Sequence, residues 1–256
     1  MDGSLLWSFL LIFVRVTSFM VSAPIFSGRQ IPTPFKIGLS AVLSILCAGL
    51  VKEPIVDPPQ SLLFILILKE VLVGIVLGMI ATIMFSAVRF AGSLLDLQIG
   101  FSMANLFDPT FQTSTQLTGS FKNILAILFL LTTNGHHLLI QGVLASFDWV
   151  PLKATVPAWM DGRISTFILQ CIIQMFMIGF MMAAPILGTM FVVDIGIGII
   201  SRTVPQMNIL TVAPPLKMLL HFMMYIFLLP SFFYLLKILF DNMYSSMSSI
   251  LNIMGA

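Results

Sequence analysis

Apolar positions fall in six blocks, roughly residues 4–26, 37–51, 61–88, 123–147, 164–200 and 217–240. Several exceed the roughly 18 apolar residues that mark a spanning helix. The pattern predicts an all-α, polytopic membrane-type chain. Residues 242–256 are milder, carry several Ser and Met, and predict an amphipathic end. Residues 89–122, containing Gly, Thr and Gln, predict a polar interruption. Pro32-Thr33-Pro34, Pro54 with Pro58-Pro59, Asn134-Gly135 and Pro214-Pro215 are turn or helix-start signals.

The block lengths do not fit six tidy spans. Block 164–200 would reach roughly 55 Å as one helix, against a hydrocarbon core of about 30 Å. Pro185 lies inside it and frees a backbone carbonyl, which predicts a kinked helix or a bent hairpin. Block 37–51 is short for a span, and block 61–88 is long and holds Lys69-Glu70. In the first block Val21-Ser22-Ala23 imitates a signal-peptide cleavage site. The only earlier charges are Asp2 and, inside the apolar run, Arg15, so the block reads as retained helix.

Composition sharpens this picture. The chain is 59% hydrophobic and 9% charged, where soluble domains carry about 25% charged residues. That excludes an ordinary soluble domain, a disordered chain and a nucleic-acid binder with a basic face. A net charge of +2 names no partner. With six spans, Arg29, Lys36, Arg89, Lys122, Arg202 and Lys217 face one side and Lys52, Lys153, Arg163 and Lys237 the other. The positive-inside rule usually gives a clearer bias. Either the topology differs, or lipid is not the final surrounding of these helices.

Candidate chemistry is sparse. HExxH, GxSxG and GxxxxGK[ST] are absent, so no enzymatic activity and no cofactor are implied. Asp194-Ile195-Gly196-Ile197-Gly198 reads as a small-residue helix surface. Cys47 and Cys171 lie in apolar runs and match no disulfide, zinc or CxxC pattern. His136 and His137 follow a turn, where capping or surface roles fit adjacent histidines better than a metal site. His221 reads as a packed, hydrogen-bonded core residue. The 18 methionines suit core filling or, more sharply, a deformable seal.

On a helix, Glu70, Gly74, Gly78, Thr82 and Ser86 form one i+4 ridge, and Gly74–Gly78 is a GxxxG. Small residues admit a second helix closely. A carboxylate on that ridge reads either as an assembly contact, paired with a Lys, Arg or N–H of a neighbour, or as a proton- or ion-coupling group. Assembly is the preferred reading. Arg15 and Lys69 also need partners, and adjacent Lys69 and Glu70 point in different directions on a helix. Those demands favour a multi-subunit assembly over a lone transporter.

Several segments together resemble the FliR/SctT family of export-gate proteins. They are Pro24, Arg29, Pro32 and Lys36; Lys69-Glu70 with Gly74 and Gly78; Ala91-Gly92 through Asp96-Leu97-Gln98-Ile99-Gly100-Phe101-Ser102; and Asp108-Pro109. The most specific is Asp194 to Arg202 running into Pro205-Gln206-Met207-Asn208, with Lys217 after it. The resemblance covers nearly the whole chain. It implies a single helical domain over residues 1–256, built of kinked helical hairpins like a FliP-like part fused to a FliQ-like part. It implies a structural and gating subunit of the flagellar type III export channel, in the inner membrane at the basal body. Implied partners are FliP-like and FliQ-like subunits, FlhB- and FlhA-like components, rod proteins and unfolded export substrates; nucleic acid is not among them. It places a channel plug at about residues 104–121, with Phe107, Asp108, Pro109, Phe111 and Phe121. It suggests packing roles for Lys69, Glu70, Gly74, Gly78, Arg202, Pro205 and Gln206. The alternatives are a virulence secretion subunit with the same mechanics, or an ion-coupled transporter using Glu70 and the histidines.

Overall fold

A computed structural model describes residues 3–28, 31–49, 59–100, 117–154, 162–204, 206 and 209–255. Among these residues the structure is all α. The helices are α1 (Gly3–Ser22), α2 (Thr33–Ala48), α3 (Gln60–Ile99), α4 (Leu117–Thr132), α5 (Gly135–Trp149), α6 (Arg163–Thr203) and α7 (Ile209–Gly255). Three of them, α3, α6 and α7, are long and apolar enough to cross a membrane. A fourth span results if α4 and α5 count as one broken span. The chain is a multi-pass helical membrane protein.

Several boundaries differ from the apolar blocks. Helix α3 continues 11 residues past Val88, because Ala91, Leu95 and Ile99 extend its apolar stripe and are all buried. Much of the expected interruption at 89–122 is therefore helix. Block 123–147 breaks at Thr133-Asn134, where Asn134 takes φ 56°; asparagine tolerates this left-handed conformation. Helix α6 runs through Pro185 without a break, so the hairpin alternative for 164–200 is not formed. At 41 residues it reaches roughly 60 Å. Pro214 and Pro215 lie inside α7, near its start, with Pro230 further along. The milder tail forms the last turns of α7, burying Met243, Met247, Ile250, Leu251 and Met254. That i, i+3, i+4 recurrence is the expected amphipathic stripe.

The chain packs as two compact units. The first comprises residues 1–85, 133–173 and 240–256; the second comprises 86–132 and 174–239. Helices α3, α6 and α7 each contribute residues to both.

In the first unit α1 lies against the start of α3. Both glycines of the GxxxG face α1: a Cβ on Gly74 would stand 2.8 Å from Ser18 Cβ, and one on Gly78 2.8 Å from Ser22 Cβ. The Thr82 hydroxyl donates to the Ser22 carbonyl at 2.6 Å. The ridge thus finds its neighbour within the chain. Leu11, Ile12, Phe19 and Met20 of α1 and Leu66, Val73, Leu77 and Ile80 of α3 are buried in this unit. In the second unit Phe90 meets Phe176 edge to face at 4.8 Å, and Gly179 packs on Ala87 and Phe90. Gly74→Val should cost about 1–3 kcal/mol through overpacking. The check is a lowered thermal midpoint of the purified protein in detergent; an unchanged midpoint contradicts the α1–α3 contact.

Candidate functional site

Two polar clusters stand out, one in each unit. In the first, Arg15 on α1 is completely buried and pairs through Nε with Glu70 Oε2 on α3. Its Nη1 donates to the Ser146 carbonyl at 2.9 Å and to Ser146 Oγ at 3.0 Å, and its Nη2 donates to the Val150 carbonyl at 2.8 Å. The guanidinium carbon sits 4.2 Å from the Phe147 ring centroid. Lys69 Nζ donates to the Pro151 and Leu152 carbonyls, both at 2.9 Å, and lies 2.8 Å from Glu70 Oε1.

The arrangement is one carboxylate between two cations, with the remaining donors aimed at carbonyls at and just beyond the end of α5. The Val150, Pro151 and Leu152 carbonyls lie past the last residue of α5, the Ser146 carbonyl also accepts the Val150 amide at 2.9 Å, and all sit at the negative end of the helix dipole, so cations belong there. This corrects two expectations. Lys69 and Glu70, adjacent in sequence, do pair, because the four-carbon lysine stem curls back while its ammonium stays on the 151–152 carbonyls. Arg15 and Lys69 also find partners within the chain, so their burial alone does not require another subunit. Glu70 is sequestered in an ion-pair network, which is a structural arrangement.

The second cluster gathers around the end of α3. Asp96 is buried, and its carboxylate accepts from the Thr118 and Gly119 amides at 3.0 and 3.3 Å. It caps the start of α4 from another helix. A Cβ on Gly92 would lie 2.7 Å from the Gly119 nitrogen, so α3 and α4 touch backbone to backbone here. Two residues further on, Gln98 Nε2 donates to Asp194 Oδ2 on α6 at 2.7 Å, and Lys217 on α7 pairs with Asp194 Oδ1. Lys122 is buried, with Nζ 5.4 Å from the centroids of both Tyr225 and Phe232. His221 is buried against Tyr225, ring centroids 6.1 Å apart, and its Nδ1 has no hydrogen-bond partner among the described residues. Aromatic packing, rather than the expected hydrogen bonding at that nitrogen, surrounds it.

The sequence candidates divide accordingly. Lys69, Glu70, Gly74 and Gly78 come together with α1. Phe121 is half exposed on α4 and meets Tyr225 edge to face at 5.8 Å. Arg202 is exposed in the last turn of α6, and Gln206 is exposed in a turn. Phe107, Asp108, Pro109, Phe111 and Pro205 lie outside the described residues. His136 and His137 stack in the first turn of α5, centroids 4.4 Å apart. Among the described residues no three His, Cys, Asp or Glu groups could hold a metal, and both cysteines are buried free thiols. Sequence reasoning missed the 146–152 carbonyls as acceptors. Pro151, directly after an apolar run, was the available signal of a helix end with free carbonyls.

Outward, the surface is strongly apolar. Phe64 is 70% exposed, Ile226 73% and Phe227 77%; Phe176, Met177, Phe180, Phe191 and Val192 are also exposed on α6. Of the methionines, Met182, Met190, Met243, Met247 and Met254 fill cores, while Met177, Met181, Met218 and Met223 face outward.

Residues 6–243 match the family model described as bacterial export proteins, family 1. The chain is 36% identical to the flagellar biosynthetic protein FliR of Bacillus subtilis (strain 168), over 97% of this chain and 96% of the relative. It is 32% identical to the flagellar biosynthetic protein FliR of Pectobacterium carotovorum, over 93% and 90%. It is 30% identical to the Yop proteins translocation protein T of Yersinia pestis, over 64% and 63%.

Glu70→Leu should strand two buried cations and cost about 3–5 kcal/mol. Arg15→Leu combined with Glu70→Leu should be less destabilised than either variant's effects summed. A thermal-melt double-mutant cycle checks this; strict additivity contradicts the ion-pair network.

Proposed function

The chain belongs to the bacterial export proteins of family 1, the FliR/SctT family, and on that premise we propose that it is a structural and gating subunit of the flagellar type III protein export channel. It resides in the bacterial inner membrane as a multi-pass component. The observation that carries the reading is the family match across residues 6–243 on helices that outrun a bilayer and face outward with large apolar side chains. A helix of roughly 60 Å leaves about half its length beyond a hydrocarbon core of about 30 Å. Apolar side chains there gain shelter only against protein.

The neighbours that fit are FliP-like and FliQ-like subunits, with this chain closing their ring. FlhB- and FlhA-like components and rod proteins adjoin the assembly. The chain makes and breaks no covalent bonds; it lines a conduit for unfolded substrates and holds it shut at rest. The plug role falls to residues 104–121, where aromatic residues supply volume from few positions. The flagellar reading is preferred to the virulence one because the two flagellar relatives match over 97% and 93% of the chain, against 64% for the virulence relative. Glu70, enclosed by Arg15 and Lys69, is not free to serve as the coupling carboxylate of the transporter reading.

Produced alone, the chain should be recovered poorly from detergent, and co-production with FliP- and FliQ-like subunits should raise its yield and retain it in one complex. Solute transport by the isolated chain in liposomes overturns the reading. Deleting residues 106–116 should leave complex yield unchanged and raise ion leak across the membrane; a tight membrane removes the plug assignment.

A further inference from the structure

We propose that the second unit contains a buried water site, in which one water bridges the Lys122 ammonium of α4 to the Tyr225 hydroxyl of α7. The inference is independent of the export reading and uses residues of this unit alone. Lys122 is 1% exposed and Tyr225 7%. Both line one cavity of about 10 Å³. Met182 and Pro185 of α6 supply apolar lining, and the exposed Ser231 of α7 lines it too.

Three observations point to water. The first is hydrogen bonding. Among the described residues Tyr225 Oη has no hydrogen-bond partner, and the contacts of Lys122 Nζ are the rings of Tyr225 and Phe232, 5.4 Å from each centroid. A ring face attracts a cation, yet it leaves the three N–H donors of an ammonium without a conventional acceptor. Polar groups buried this deeply are met by ordered water where protein supplies no partner. The second is size. A cavity of about 10 Å³ is close to the least space one water occupies, and it excludes an organic ligand. The third is charge. The carboxylate acting on Lys122 is that of Asp96, which the Thr118 and Gly119 amides already hold. The cavity therefore calls for a neutral acceptor and not for a further anion. A water there accepts from Nζ and donates to Tyr225 Oη, with Ser231 Oγ as a further acceptor, which is the two to four partners that a buried water takes. It fastens α4 to α7 beside Pro185.

The test uses the full chain purified in detergent with the partner subunits it retains. Tyr225→Phe removes one hydroxyl and nothing else. With the water bridge present, its thermal midpoint should fall by about 2–4 °C. A hydroxyl buried without a partner gives the opposite result: its removal leaves the midpoint unchanged or raises it, and that overturns the bridge. In a Lys122→Met background the cost of Tyr225→Phe should vanish, because the water has lost its donor; strict additivity overturns the bridge. Should Lys122→Met fail to fold, an experimental map of the unmodified protein at a resolution that shows waters decides. Density within about 3.2 Å of both Nζ and Oη supports the site, and a cavity without density overturns it. Replacing chloride by gluconate should leave the midpoint in place; a fall marks a bound anion and overturns the water.

Discussion

A charge inside an apolar helix bundle must be met by an opposite charge or by backbone carbonyls, and the first unit is organised around that demand. Arg15 is completely buried, and leaving it unmatched would cost at least a few kcal/mol. It is matched by Glu70 and by two carbonyls at the end of α5, while Lys69 takes the next two and the other carboxylate oxygen. The glycines of the α3 ridge let α1 come close enough for the guanidinium to reach. Packing and charge pairing are thus one device: without Gly74 and Gly78 the helices stand too far apart, and without the charges the register of α1 on α3 has little to define it.

The outward face obeys the opposite logic. Phe64, Ile226 and Phe227 gain nothing from the chain's own core, and helices of 40 residues or more cannot be covered by a bilayer along their whole length. An export-apparatus subunit reconciles these facts, since neighbouring subunits extend the apolar surroundings past the lipid. The weak asymmetry of Lys and Arg along the sequence fits such surroundings as well, because packing against protein, and not loop charge alone, then sets the placement of the helices.

In the second unit polar residues act as fasteners at one end of three helices. Asp96 satisfies the start of α4, while Gln98 and Lys217 satisfy Asp194.

The sequence by itself determined the all-α membrane character, the family resemblance, the small-residue ridge of α3 and the amphipathic stripe at the end of α7. These are legible because composition and i+4 recurrence are properties of a segment taken alone. It misplaced the end of α3 because Asp96 and Gln98 look like loop residues until their partners are known, and at Pro185 it left open a bent hairpin where the helix runs on. The tertiary structure alone decided that Glu70 belongs to Arg15 across 55 residues, that Lys69 turns back to its neighbour, and that Asp96 caps a helix begun 21 residues later. Each is a pairing between positions distant along the chain or between side chains whose reach exceeds helical spacing. Such pairings depend on which backbones approach, and hydrophobic periodicity carries no record of that.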